Sequence, residues 1–219
     1  MIKPIIKFAL FFFLFYAFIS LLISNQQFST RYHSFFKSSL ATVVGIILPS
    51  AHIETQDVLD EKGKLSLNRL YLVFGNPVVI EREINQARLN KLSEIKVSTF
   101  SRQFLVYEFF IVPILFLVSL FVATPMNWRR KILYLAVSLG ILIIFLYSKA
   151  SVFTLYAISE SRIGIYELSN NTMQFLASLI SALSLGFSVV LCLVIWLILG
   201  FKNSTFLYSF KAFFKSKQA

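Results

Sequence analysis

The sequence predicts a mainly α-helical, polytopic membrane protein with four transmembrane helices and a small α+β extracytoplasmic cap between helices 1 and 2. Hydrophobic residues make up 57% of its 219 residues and charged residues only 14%, whereas soluble domains carry roughly 25% charged residues. The apolar residues, with 25 Phe among them, stand in long unbroken runs rather than in a periodic pattern. Basic residues flank these runs, which is the charge distribution of membrane-spanning helices.

The first predicted span is Ile5–Ile23, and Lys3 and Lys7 lie at its start. A basic start before an apolar core also describes a signal peptide. However, the end of this run, Leu22–Asn25, lacks the small residues of a good cleavage site. We therefore expect residues 1–24 to be an uncleaved signal anchor.

Residues 25–103 form the predicted cap. Phe35–Leu48 is apolar but too short to cross a bilayer, so it is expected to be an interfacial or packed helix. His52–Leu59 and Leu65–Phe74 are predicted to pair as antiparallel strands, because a charged, glycine-containing turn joins two β-prone runs. A helix is predicted for Glu81–Ile95. A cap of this size can bury only a small hydrophobic core. We therefore expect it to pack against the helices, the bilayer or a partner.

The rest of the chain is predicted to be a transmembrane hairpin, an outer loop, a fourth span and a basic tail. Their bounds are residues 104–156, 157–174, 175–201 and 202–219, and the hairpin helices are Phe104 to about Val122 and Ile132 to about Tyr156. Pro113 is the only proline within a predicted span. Each span is therefore expected to be a continuous helix.

The positions of the basic residues, which give the chain a net charge of +11, predict its orientation. Nine basic residues occupy three short segments without acids: Lys3, Lys7, Arg129, Arg130, Lys131, Lys202, Lys211, Lys215 and Lys217. All three segments fall on one side under this topology, which predicts a multi-pass protein of the bacterial inner membrane with both termini in the cytoplasm. Basic residues that flank apolar spans do not indicate a nucleic-acid partner.

No metal or cofactor is expected from the few residues that bind such groups. The single cysteine, Cys192, lies in an apolar run, where a thiol is inert packing. Arg31, His33 and His52 are expected to face solvent or lipid headgroups. Three acidic residues are expected to be solvated turn residues: Asp57, Asp60 and Glu61.

Glu108 and Lys149 form a candidate intramembrane ion pair. They lie roughly 20 residues before and after Asn127–Trp128, so at ~1.5 Å per residue they reach the same depth near the outer surface. Charges inside a span are paired or functional, because an isolated ion in lipid is costly. The alternatives are a clasp between the helices, separate snorkelling to the interface, and a proton relay or substrate contact.

One part of the hairpin resembles a known group. Pro113–Leu117, Ala123–Lys131 and Leu135–Gly140 are similar to a helix hairpin in small membrane proteins encoded beside bacterial exosortases. Exosortases carry an intramembrane Cys, Arg and His set that this chain lacks. The resemblance therefore implies an accessory partner rather than the enzyme.

These observations favour a non-enzymatic accessory or scaffold subunit of an inner-membrane, cell-envelope complex that is exosortase-associated. Its expected partners are membrane lipid and another integral membrane protein, and no soluble small-molecule substrate is identifiable. An alternative is a membrane-embedded enzyme that acts at the outer face on lipid-linked or sorted substrates through Glu108 or His33. A small transporter or channel subunit is the third hypothesis.

Overall fold

The structure, a computed structural model, describes residues 2–91, 97–183, 185–202 and 204. Helices and strands in this part of the chain are α1 (Ile2–Ile23), α2 (Gln26–Ile47), β1 (His52–Leu59), β2 (Leu65–Gly75), α3 (Pro77–Leu89), β3 (Phe100–Leu105), α4 (Val112–Ala123), α5 (Trp128–Glu160), α6 (Asn170–Ala182) and α7 (Leu185–Ile195). A π-helical turn precedes α4 (Tyr107–Ile111), and another follows α7 (Trp196–Phe201). The end of the predicted helix Glu81–Ile95, from residue 92, and the predicted basic tail beyond residue 204 lie outside the described residues.

The chain divides into two compact units. The first comprises Met1–Phe28, Tyr107–Leu146 and Leu185–Ala219, and the second Ser29–Val106 and Tyr147–Ser184. The first unit thus contains α1, α4, the start of α5, and α7. The sheet, α3, the end of α5, α6 and nearly all of α2 belong to the second.

Two helices are long and apolar enough to cross a membrane. They are the segment Ile6–Ile23 of α1 and the 33-residue helix α5. A third span exists if α6 and α7 cross together. Length and composition therefore support two or three spans, where the sequence predicts four.

The helix observed in place of the predicted second span is shorter than predicted, because Phe104 lies in strand β3. The apolar helix begins at Tyr107, and its π turn of 5 residues and α-helix of 12 residues extend about 25 Å at 1.5 Å per residue. Pro113 accounts for the π turn, because it has no N–H to donate to the carbonyl of Phe109. Backbone turns of this kind commonly accommodate such an interruption.

The predicted fourth span is two helices rather than one. Helix α6 ends at Ala182, where the N–H of Leu183 donates to the carbonyl of Leu179, and α7 begins at Leu185. Gly186 lies beside the break, and glycine is about 1 kcal/mol less favourable than alanine in a helix. The expectation of continuous spans, which rested on proline alone, is therefore wrong here.

Side chains around Trp196 and Cys192 help to pack the helices of the first unit. The indole N–H of Trp196 donates to Thr124 Oγ1 at 2.7 Å, and the Trp196 ring stacks on Phe8 with 5.4 Å between centroids. The thiol of Cys192 donates to the carbonyl of Pro113 at 3.4 Å and is fully buried. Cys192 is therefore a packing residue, as its apolar surroundings in the sequence predict.

The antiparallel pairing of the two predicted strands is confirmed. The sheet order is β1-β2-β3, and both pairs are antiparallel, with β3 as a strand that the sequence did not predict. Gly63 has φ +73°, the left-handed conformation that the β1–β2 turn requires. Adjacent residues Leu72 and Val73 are 0% and 6% exposed, so this end of β2 is covered on both faces.

Helix α2 begins earlier than the apolar segment predicted from Phe35. Asn25 precedes it and accepts a hydrogen bond from the N–H of Gln27 at 3.0 Å, as helix-capping residues do. The buried residues follow helical spacing along one side: Ser29, His33, Phe36, Leu40 and Val44. The polar first half of α2 thus belongs to the same packed helix as its apolar second half.

Asn76 connects three parts of the second unit. Its Oδ1 accepts from the N–H of Val78 at 3.0 Å and caps α3, while its Nδ2 donates to the carbonyl of Ile163 at 3.1 Å. Ile163 lies in the α5–α6 loop, residues 161–169. The same loop is held a second time, because Tyr166 Oη accepts from the N–H of Ser50 at 3.1 Å.

Asn76→Ala should lower the free energy of unfolding by about 1–2 kcal/mol, because it removes a helix cap and a hydrogen bond to the loop. Asn76→Ser retains a capping oxygen and should recover roughly half of that loss. Thermal unfolding followed by circular dichroism in detergent measures both. Equal losses in the two variants would contradict the capping role.

Candidate functional site

The two predicted intramembrane charges occupy different environments. Glu108 is exposed in the π turn before α4, whereas Lys149 on α5 is 4% exposed and its Nζ lies 5.9 Å from the ring centroid of Phe153. Glu108 belongs to the first unit and Lys149 to the second. Their pairing stays a prediction. The surroundings of Lys149 already provide an aromatic face, which attracts a cation.

His33 lies at the centre of a polar cluster whose members are far apart in the sequence. Its Nε2 is 3.1 Å from Asp57 Oδ1, and its Nδ1 is 3.0 Å from the carbonyl oxygen of Leu67. The imidazole side chain is only 4% exposed. The expectation that His33 faces solvent or headgroups is therefore wrong, since one ring connects α2 to both β1 and β2.

Lys37 completes this cluster, which we call the His33 bridge: His33, Lys37, Asp57 and the Leu67 carbonyl. His33 and Lys37 are four residues apart on α2 and so share a helix face. Lys37 Nζ lies 2.6 Å from Asp57 Oδ2, so each carboxylate oxygen accepts from a different side chain. The hydrogen bond from Lys37 holds the pKa of Asp57 below its usual value, His33 lowers it further, and partial burial opposes both.

The hydrogen-bond chemistry of the His33 bridge favours a structural role over catalysis. Both ring nitrogens of His33 lie within hydrogen-bond distance of acceptor groups of the chain, a carbonyl oxygen and a carboxylate oxygen. The side chain is 4% exposed, so neither nitrogen is presented to a substrate. A general base needs a lone pair within reach of the substrate.

The other polar residues singled out in the sequence have local roles or lie exposed. Arg31 and His52 are exposed as predicted, and His52 Nε2 lies 2.9 Å from Glu54 Oε1. Asp60 Oδ1 accepts from two backbone N–H groups of the β1–β2 turn, at 2.9 and 2.8 Å. Asp60 and the exposed Glu61 are therefore turn residues as predicted, while Asp57 belongs to β1 and the His33 bridge.

No three His, Cys, Asp or Glu side chains converge at ligand distance within the residues that the structure describes. The His33 bridge itself contributes one imidazole and one carboxylate beside the ammonium of Lys37. A cation next to the carboxylate opposes the binding of a second cation there. The geometry of this cluster is that of an ion-paired hydrogen-bond network.

A sequence signal for the burial of His33 exists. His33, Phe36, Leu40 and Val44 recur every three or four residues, which is the spacing of one helix face. The predicted apolar segment begins at Phe35, because most of the residues just before it are polar. Extending the helical register backwards would have placed His33 in the buried stripe, although its partner Asp57 is distant in sequence.

No protein-family model, curated protein or solved structure matches this chain. The similarity of its Pro113–Gly140 segment to exosortase-associated proteins therefore stays a prediction.

The depressed pKa of Asp57 predicts acid sensitivity. A carboxyl whose pKa is lower in the folded state contributes stability above its unfolded-state pKa of roughly 3.9, and this contribution is lost as the pH falls through the folded-state pKa. Asp57→Asn should therefore be less stable than the native chain at neutral pH and show a smaller further loss in acid. Thermal unfolding between pH 7 and pH 3 measures this.

The matched control is Glu61→Gln, which changes the same charge on the exposed β1–β2 turn. It should follow the pH profile of the native chain. An unchanged acid profile in Asp57→Asn would show that the His33 bridge does not link protonation to stability.

Proposed function

We propose that this chain is a non-enzymatic accessory or scaffold subunit of a complex in the bacterial inner membrane that serves the cell envelope. The His33 bridge carries this proposal. The histidine most suited to acid–base chemistry is buried, and both of its ring nitrogens face hydrogen-bond acceptors. Such a group holds helix and sheet together, and both ring nitrogens are directed at groups of the chain rather than at a substrate.

The apolar surface of α1 supports association within the membrane. None of the residues Ile6–Ile23 is buried inside the chain. Phe13 and Leu21, for example, are 67% and 74% exposed. Such an apolar surface can contact either lipid or the helix of another membrane protein. A subunit of a membrane complex uses both kinds of contact.

The finer parts of the proposal concern orientation and partner. The three basic segments support cytoplasmic termini, with residues 25–103 and 157–174 outside. The hairpin segment Pro113–Gly140 supports an exosortase-associated complex. In that setting the partner is an integral membrane enzyme, and this chain supplies positioning surface rather than reactive groups.

Cysteine-accessibility labelling tests the orientation. Lys62→Cys, in the exposed β1–β2 turn, should react with an impermeant maleimide added to intact spheroplasts. Lys217→Cys should react only after the membrane is opened. Labelling of both positions from the same side would contradict the proposed topology.

Purification in mild detergent tests the function. A tagged native chain should retain another integral membrane protein in a stoichiometric complex. Any enzymatic turnover should be found in that complex and not in the isolated chain. Glu108→Gln preserves size and hydrogen bonding but removes the charge that the enzyme hypothesis uses. It should leave complex formation and turnover unchanged, as should the control Glu61→Gln.

Two outcomes would contradict the scaffold proposal. One is a monodisperse single chain that is active by itself. The other is a Glu108→Gln complex that assembles normally but has lost its turnover, which would favour the membrane-embedded enzyme.

A further inference from the structure

A half-open cavity of about 390 Å³ lies at the C-terminal end of α5, between that helix and the start of α6. Its volume falls in the range of roughly 300–1,000 Å³ that small-molecule sites occupy. The last turns of α5 contribute Tyr156 and Glu160, and the first residue of α6 is Asn170. All of the lining residues belong to the second unit of the chain.

Charges of both signs line this cavity. Glu160 and Glu167 contribute carboxylates and Arg162 contributes a guanidinium, and all three side chains are exposed. Among the described residues, the ion pairs involve only His33, Lys37, His52 and their acidic partners, so no two of the three cavity charges are paired with each other. Two acids and one base thus remain available to a ligand.

The loop that carries these charges is held in an uncommon conformation. Arg162 and Tyr166 both have φ +49°, in the left-handed region that side chains other than glycine seldom adopt. The hydrogen bonds from Asn76 to Ile163 and from Ser50 to Tyr166 hold the loop from outside the cavity. On the cavity side, Ser159 Oγ accepts from the N–H of Leu168 at 3.2 Å. Strained backbone that is fixed in this way is common at ligand-binding sites.

The charged groups that line the cavity indicate which class of ligand it can bind. An anion alone would approach two carboxylates, and a cation alone would approach the guanidinium of Arg162. A divalent metal would require more oxygen ligands, and no three acidic or histidine side chains converge in the described part of the chain. A ligand that carries a protonated amine and an acidic group a few atoms apart satisfies both signs.

We propose that the cavity at the end of α5 binds a small zwitterion whose ammonium group faces Glu160 and Glu167 and whose acidic group faces Arg162. Phosphoethanolamine has this chemistry, either free or as the headgroup of phosphatidylethanolamine. Helix α5 is long and apolar enough to span a membrane, so its end is a position that headgroups reach. This site does not depend on the scaffold function proposed above.

Calorimetric titration of the purified full chain in detergent tests whether free phosphoethanolamine binds. Phosphoethanolamine should bind at least tenfold more tightly than ethanolamine or glycerol phosphate, each of which carries one of its two charges. Arg162→Gln and the double variant Glu160→Gln/Glu167→Gln should each weaken binding about tenfold, as expected for the loss of a charge-assisted hydrogen bond. Arg162→Lys should retain part of the affinity, and Glu61→Gln all of it.

Native mass spectrometry tests whether the headgroup of phosphatidylethanolamine binds. The chain is reconstituted in nanodiscs of phosphatidylethanolamine and, for comparison, in nanodiscs of phosphatidylglycerol. Preferential retention of phosphatidylethanolamine that is lost in Arg162→Gln identifies a lipid source, and binding of the soluble compound alone identifies a free ligand. Unfolding temperatures of the variants should match the native chain, because the three side chains are exposed. Binding of no probe in either arm, or equal binding of phosphoethanolamine and its single-charge halves, would overturn the proposal.

Discussion

The buried imidazole of His33 places a constraint on the whole second unit, because a ring that faces two acceptors requires both of them in place. Asp57 comes from β1 and the Leu67 carbonyl from β2, so the bridge is complete only when the hairpin has formed and α2 lies against it. Lys37 then neutralises the carboxylate from the same helix face. Loss of one member would leave a buried polar group without its partner, which typically costs about 1–3 kcal/mol. This dependence gives a small sheet a defined position for its covering helix.

Polar contacts are used differently in the two units. In the first, long apolar helices meet through aromatic packing, and the Trp196–Thr124 hydrogen bond satisfies an indole N–H that lipid would leave without a partner. In the second, hydrogen bonds between distant segments organise the chain: His33 joins α2 to the sheet, and Asn76 joins α3 to the α5–α6 loop. The apolar composition of these helices accounts for the first pattern. The second is needed because a sheet of three short strands has little apolar surface to bury.

The proposed scaffold role and the proposed zwitterion site draw on opposite features of the same unit. Around His33, both ring nitrogens and both oxygens of the Asp57 carboxylate meet a partner, so the cluster links helix to sheet. Around Arg162, the three cavity charges form no ion pair within the described part of the chain, and Arg162 and Tyr166 have left-handed backbone conformations. A subunit that positions a partner at the end of a membrane helix, and that also holds a zwitterionic ligand there, needs both a rigid frame and an unsatisfied site.

Composition and local pattern by themselves determined that the chain has helices long and apolar enough to cross a membrane, and a β-hairpin with a left-handed glycine in its turn. Both depend on residues close in sequence: unbroken apolar runs, and two β-prone segments around Gly63. Tertiary structure alone decided that Phe104 joins a third strand and which groups the His33 ring contacts. These outcomes depend on partners far along the chain. Phe104 pairs with Leu70, and His33 meets Asp57 and Leu67, so no local window of sequence contains the interaction that decides them.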